Sequence, residues 1–293
     1  MNIQWYPGHM TKTRRQIEAD LGQVDMVAEI VDARIPISSR NPDIDAIVGT
    51  KPRLVVLNRA DQADPAGNKA WTKRFQDQGF AVLETDSKTG KGVSRFSEVS
   101  QALLKEQIER WRAKGQVGRP IRAMVVGVPN VGNSTFINQV ARRKSAKAGD
   151  RPGVTRGKQW VTVDASLALL DTPGILWPKF EDERVGMNLA YTGAVKDDIM
   201  DVETLGCRLM DDLAARYPQA LTERYKVDIP AKEEGQDAVA YGYSLLEQAA
   251  GKRGFRISGG ELDTERMARI LLDEFRGGKL GHFTLELPEE TSI

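Results

Sequence analysis

The sequence predicts an α/β domain with a mostly parallel sheet, followed by an all-helical domain, and three observations carry that prediction. Short apolar runs alternate with helical patterns through residues 26–170, the layout of a parallel sheet covered on both faces. A glycine-bounded loop, Gly127-Val128-Pro129-Asn130-Val131-Gly132, separates the apolar run 124–126 from a helix beginning at Ser134. Beyond about residue 180 the patterns are helical alone, apart from a short apolar tail at 283–287 that reads as a strand. The domains are therefore expected at 1–179 and 180–293.

Taken in order, Trp5-Tyr6-Pro7-Gly8-His9-Met10 reads as a turn, and Ile17 and Leu21 share one face of a helix that starts near Thr11. A buried strand at 26–31 ends in Asp32-Ala33-Arg34, and Pro36, Ser38, Ser39, Asn41 and Pro42 mark a loop. A short helix at 44–48 leads to a second strand at 54–57, which stops at Asn58-Arg59-Ala60-Asp61. A helix at 68–78 precedes a third strand at 81–84, ending in Thr85-Asp86-Ser87-Lys88. One long helix is expected over 93–114, broken by Gly115, Gly118 and Pro120 before the strand at 124–126. Strands at 159–163 and 167–170 follow, the second ending in Asp171-Thr172-Pro173-Gly174. In the second domain the helical patterns lie at 187–195, 202–216, 220–225, 238–252 and 264–275.

Composition narrows the class. Across 293 residues, 42 Lys and Arg against 41 Asp and Glu leave a net charge of +1, so overall charge does not mark a nucleic-acid binder. Local clusters at Lys12, Arg14 and Arg15, and at Arg142, Arg143, Lys144, Lys147, Arg151, Arg156 and Lys158, read either as solvated faces or as contacts for RNA phosphate. A single cysteine, Cys207, excludes an intrachain disulfide and reads as a small apolar helix residue. No apolar stretch spans a bilayer and the N-terminus is no secretory signal, so a cytoplasmic protein without a membrane partner is expected.

The stretch 121–138 has the layout of a phosphate-binding loop. Its glycines let backbone N–H groups turn inward on an anion, and the helix N-terminus behind adds partial positive charge. Asn130, Val131, Gly132, Asn133, Ser134 and Thr135 would line the phosphates, with Ser134 placed to hold Mg²⁺. The pattern is GxxxxGNS, with Asn133 where such loops carry lysine. An asparagine offers at most a neutral hydrogen bond in place of a charge-assisted one, a loss of about 1.5–3 kcal/mol, or about ten- to a hundredfold in affinity. Three accounts fit: a variant that recruits another cation, an introduced change, or a nucleotide-binding protein with little turnover.

Other motifs at strand ends point to the base and the phosphates. Asn58-Arg59-Ala60-Asp61 resembles the NKxD motif, whose final carboxylate accepts both guanine N1–H and the exocyclic amine. Adenine has no such donor pair, which disfavours an ATP-using enzyme. Asp86-Ser87-Lys88 resembles the SAK motif beside guanine O6, and Asp171-Thr172-Pro173-Gly174 the DxxG motif that senses Mg²⁺ and the γ-phosphate. Thr155, in a glycine-flanked loop, fits the switch threonine that closes on Mg²⁺. Any one of these is a turn by chance; together, at the carboxyl ends of strands, they are where parallel sheets bind ligands.

Their order is rotated, since the NRxD and DSK motifs precede the phosphate loop. With this order the chain looks like a circularly permuted P-loop GTPase. The Trp-Tyr-Pro-Gly-His-Met opening, Asp32-Ala33-Arg34-Ile35-Pro36, the 127–132 loop and the helical C-terminal part make it similar to the RbgA (YlqF) family of ribosome-assembly GTPases. That resemblance covers essentially the whole length. It implies a GTP- and GDP-binding GTPase, monomeric off the ribosome, that acts on a late precursor of the large ribosomal subunit and is stimulated by it, with the helical domain meeting rRNA. It further implies a K⁺ ion beside Asn130. The position after DxxG holds Ile175 and then Leu176, neither of which orients water, and the resemblance gives that task to His9. Arg208, Arg216, Arg224, Lys252, Arg253 and Arg256 are candidates for rRNA phosphate contacts, whereas His282 reads as structural. The runner-up is a ribosome- or RNA-binding scaffold with a degenerate, poorly hydrolysing nucleotide site.

Overall fold

Six strands form one sheet in the order β3-β2-β1-β4-β6-β5. These are β1 (Met26–Asp32), β2 (Arg53–Asn58), β3 (Ala81–Thr85), β4 (Ile121–Gly127), β5 (Gln159–Asp164) and β6 (Leu167–Asp171). All neighbours are parallel except β5, which runs antiparallel to β6. The computed structural model describes residues 9–144, 159–172, 174, 182–195 and 201–290.

Every residue of β1 and β2 is buried, which is why both read as unbroken apolar runs rather than alternating ones. Two acidic residues interrupt β1: Asp32 at its end, and Glu29, whose carboxylate takes Arg40 at 3.0 and 3.1 Å and Arg53 at 3.3 Å. Helix α1 (His9–Asp20) and the short α2 (Asp43–Val48) flank β1 in sequence. Helix α3 (Pro65–Asp77) starts earlier than its apolar pattern, because Asp64 caps it through the Ala66 N–H and Pro65 pre-sets the first turn. Its Trp71 and Phe75 pack with Val31, Val55 and Leu57.

Register aligns the strand ends. Asp32 pairs with Asn58, Asn58 with Thr85, Ile30 with Gly127 and Val125 with Asp171, so the motif-bearing ends of five strands lie along one edge of the sheet.

The expected single helix at 93–114 is instead a 3₁₀ turn at Val93–Arg95 and two helices, α4 (Phe96–Leu103) and α5 (Lys105–Ala113). Ser100 Oγ bonds the Phe96 carbonyl at 2.7 Å, a contact that bends helices, and buried Leu104 sits at φ −101°, ψ 15° between the two. The run continues in α6 (Asn133–Lys144), behind the glycine loop.

The chain divides into two compact units, Met1–Val185 with Glu286–Ile293, and Gly186–Leu285. The boundary falls inside α7 (Glu183–Tyr191). The second unit holds α8 (Val202–Arg216), α9 (Pro218–Tyr225), α10 (Ala238–Arg253) and α11 (Thr264–Arg276). Gly242 lets α10 approach α8 closely, since a Cβ there would lie 1.9 Å from the Cys207 carbonyl oxygen. Met267, Leu271 and Leu272 of α11 are buried, and burial pushes the Cys207 thiol up to about 12, which makes it an inert core residue. No described helix is long and apolar enough to cross a membrane.

The tail at 283–287 is not a strand. Its backbone groups are taken by side chains instead: Tyr217 Oη accepts from Thr284 N–H at 2.9 Å and donates to Thr284 O at 3.0 Å, and Trp71 Nε1 donates to Glu286 O at 2.7 Å. These three groups are thus paired without a ladder partner.

Candidate nucleotide site

Asn58, the last residue of β2, is the junction of the site. Its Nδ2 donates to the Val131 carbonyl of the glycine loop at 2.8 Å, and its Oδ1 accepts from Ser87 N–H at 3.1 Å, Ser87 Oγ at 2.7 Å and Thr85 Oγ1 at 3.2 Å. One buried amide thus holds the loops after β2, β3 and β4 together, although 73 residues separate it from Val131. Gly132 is required beside it: the residue is at φ +107°, and a Cβ would lie 2.4 Å from Asn58 Nδ2.

The next residue makes a second tie. Arg59 Nη2 donates to the Asn130 carbonyl at 2.9 Å, and its Nε lies 3.6 Å from Asp32. Arg59 and Asn130 both occupy left-handed backbone, at φ 58° and 59°, an energetically costly conformation for residues with a Cβ and one that clusters at binding sites. Asp32 also pairs with Arg34 at 2.7 Å, both fully or nearly fully buried. Burial alone would raise the Asp32 carboxyl, but Arg34 and then Arg59 outweigh it and hold it below the usual carboxylate value. This Asp32–Arg34–Arg59 cluster was invisible as chemistry in the sequence, where Asp32-Ala33-Arg34 was only a motif of resemblance.

Asp61 is exposed at the mouth of this edge. Desolvation first, and the Asp86 carboxylate second, push it above the usual value, partly offset by Arg34 and Arg59. Among the described residues no cation forms an ion pair with it. Asp86 itself differs from the sequence expectation of a nucleotide ligand. Its oxygens accept from Lys88 N–H at 2.8 Å, from Thr89 N–H at 3.2 Å and from Thr89 Oγ1, so it shapes its own loop. Ser87 is buried and Lys88 exposed.

Behind the loop, Ser134 and Thr135 are exposed in the first turn of α6 and Asn133 is buried. Asp171 is buried at the end of β6, and Thr172 Oγ1 donates to Val125 O at 2.5 Å. Gly174 abuts the glycine loop: a Cβ there would lie 2.8 Å from Pro129 N. Thr155 lies outside the described residues, as do Ile175 and Leu176. His9 begins α1, and its side chain is likewise outside what is described. Of the basic run from Arg142 to Lys158, only Arg142 has a described side chain.

Another residue missed in the sequence supports the edge from far away. Glu286 accepts from Ile37 N–H at 2.7 Å, from Ser38 N–H at 3.1 Å and from Ser38 Oγ, fixing the loop after β1. Nothing in its sequence neighbourhood signals this.

A glycine loop between β4 and α6, the NRxD segment after β2 and a DxxG glycine against the loop define a P-loop GTPase in circular permutation. A family model described as 50S ribosome-binding GTPase matches residues 122–218. The chain is 47% identical over 291 residues to ribosome biogenesis GTPase A of Priestia megaterium, covering 99% of this chain and 98% of that one. It is 33% identical to the Thermotoga maritima protein of the same name, over 98% of this chain and 95% of the relative. Among solved structures, GDP-bound TM YlqF matches with TM-score 0.66 and 27% identity, covering 94% of this chain and all of that one. GNP-bound YlqF from T. maritima matches with TM-score 0.63 and 26% identity, over 96% of this chain and all of that one. The chain belongs to the ribosome biogenesis GTPase A family, also called RbgA or YlqF.

Proposed function

We propose that this chain binds GTP and GDP and hydrolyses GTP during late assembly of the large ribosomal subunit, with the subunit precursor stimulating turnover. The observation that carries the reading is Asn58, which ties the base-reading, SAK-like and phosphate loops into one wall. Asp61 would accept the two guanine donors, Ser87 would present backbone near O6, and the N–H groups of 130–135 would receive the phosphates.

Mg²⁺ fits the donor set: the Ser134 hydroxyl and the Asp171 carboxylate are hard oxygen ligands, and Thr155 would join them from its loop. Among the described residues no group of three or more His, Cys, Asp and Glu could hold a metal by itself, so phosphate oxygens would complete the set. The ion supplies charge neutralisation on the phosphates. Asn130 would help hold K⁺ beside them. Ile175 and Leu176 cannot orient water, and His9 is assigned that role, ordered by the ribosomal partner. The chain acts as a monomer in the cytoplasm before it docks.

The helical unit meets rRNA. Support there is narrower than the sequence suggested, because Arg224 and Arg253 are engaged with Glu274, while Lys252 and Arg256 are exposed.

The test is GTP turnover in K⁺ buffer with and without large subunits. Stimulation by large but not small subunits is expected, and His9→Ala should lower the stimulated rate by about a hundredfold or more. Nucleotide binding with no turnover under any of these conditions would establish the scaffold reading instead.

A further inference from the structure

The loop carries an excess of acceptors where a lysine ammonium would ordinarily stand. Asn133 is 9% exposed, and its Oδ1 is buried with no hydrogen-bond partner. The oxygen faces Gly127, where an added Cβ would lie 2.5 Å from it. Its Nδ2 reaches the Gly127 and Val128 carbonyls at 3.4 and 3.5 Å, beyond the usual range of about 2.7–3.2 Å. The two carbonyl oxygens thus share one weak donor, and Oδ1 on the same amide has none. Turning the amide over would bring Oδ1 to the two carbonyls, an arrangement that only a cation makes favourable. The guanidiniums tied into this edge do not supply that charge: Arg34 is paired with Asp32, and Arg59 with Asn130 O and Asp32.

We propose that Asn133 makes the phosphate loop a monovalent-cation site, in which an ion of the K⁺ class, held by Asn133 Oδ1 and the Gly127 and Val128 carbonyl oxygens, takes the place of the lysine ammonium against the nucleotide phosphates. The inference rests on the guanine-nucleotide reading and concerns an ion distinct from the one assigned to Asn130. Neutral carbonyl oxygens replace the hydration shell of a weakly hydrated monovalent ion, whereas Mg²⁺ dehydrates reluctantly and keeps carboxylates and water. The ion restores to the phosphates the positive charge that asparagine lacks, so nucleotide affinity becomes a function of the salt cation.

The experiment is calorimetric titration of the full chain with a non-hydrolysable GTP analogue and Mg²⁺, in KCl or in N-methyl-D-glucamine chloride at equal ionic strength. Wild-type affinity should fall by about tenfold or more when K⁺ is replaced by the organic cation. Asn133→Lys should bind more tightly and lose about tenfold of that dependence, because the ammonium occupies the site. Asn133→Ala in KCl should bind as weakly as wild type in the organic salt. Asn130→Ala should keep about tenfold dependence, the share belonging to Asn133. The proposal is overturned if wild-type affinity is the same in both salts, if Asn133→Lys is as cation-dependent as wild type, or if Asn130→Ala alone abolishes the dependence. Absence of guanine-nucleotide binding in every variant and salt would instead bring down the site reading, and this proposal with it.

Discussion

In the helical unit, the Glu274 carboxylate receives Arg224 at 2.5 and 2.9 Å, Tyr225 at 2.8 Å and Arg253 at 3.4 Å. In the sheet unit, the Asn58 amide receives or gives four bonds to residues distant in sequence, and just past the glycine loop it braces, Asn133 Oδ1 is buried with none. Both are buried polar clusters, yet one is closed and the other open. Glu274 joins helices α9, α10 and α11 with its charge fully met, which is what packing a bundle asks of a carboxylate. The sheet edge keeps an unmet acceptor at Asn133, an exposed carboxylate at Asp61 and left-handed backbone at Arg59 and Asn130, features of the kind that cluster at binding sites.

Breaking the closed cluster should have the larger effect on stability. Glu274→Ala leaves two guanidiniums without their carboxylate and should destabilise the helical unit by about 2–3 kcal/mol, allowing for the exposure of Arg224. Burial opposes ionisation of Glu274, but hydrogen bonds from Arg224 and Tyr225 outweigh it and hold the carboxyl down to about 2, from an ordinary 4.5. Its contribution is therefore present above the ordinary value and lost as pH falls from there toward 2. Thermal melts of wild type and variant over that window should converge at the acid end. Unchanged melting at neutral pH would show that the cluster is not what holds these helices.

Breaking the junction of the open cluster should act more on binding. Asn58→Ala leaves Val131 O and the Ser87 donors unmet, about 1–3 kcal/mol of stability, and should weaken guanine-nucleotide affinity by more than tenfold because three loops lose their common tie. Melting and titration on the same variant separate the two effects. If affinity survives, the wall is held by something other than Asn58.

The same contrast explains what the sequence could and could not reveal. Strands β1 and β2 were legible because continuous burial leaves continuous apolar runs, and the motifs were legible because they sit where those runs stop. The break at Leu104 was not, since it depends on a Ser100 bond to Phe96 inside a pattern that is helical on both sides. The tail at 283–287 looked like a strand because Phe283, Leu285 and Leu287 alternate with polar residues, but it has no ladder partner, and Tyr217 and Trp71 take backbone groups of Thr284 and Glu286. Motif positions named residues without giving their work: Asp86 folds onto Thr89, and Asn58 turned out to be a brace between loops. Glu286 bonds Ile37 across 249 residues, a partnership no local pattern encodes.

The most direct measurement is a titration of GDP and xanthosine diphosphate into wild type and Asp61→Asn. Guanine offers two donors to a carboxylate, whereas xanthine replaces the exocyclic amine with an oxygen that an asparagine amide can bond. If the scattered loops converge on one guanine nucleotide, wild type prefers GDP and Asp61→Asn reverses the preference, by about a hundredfold or more in each direction. Equal affinities for both nucleotides in wild type, or a variant whose preference does not move, would contradict the account.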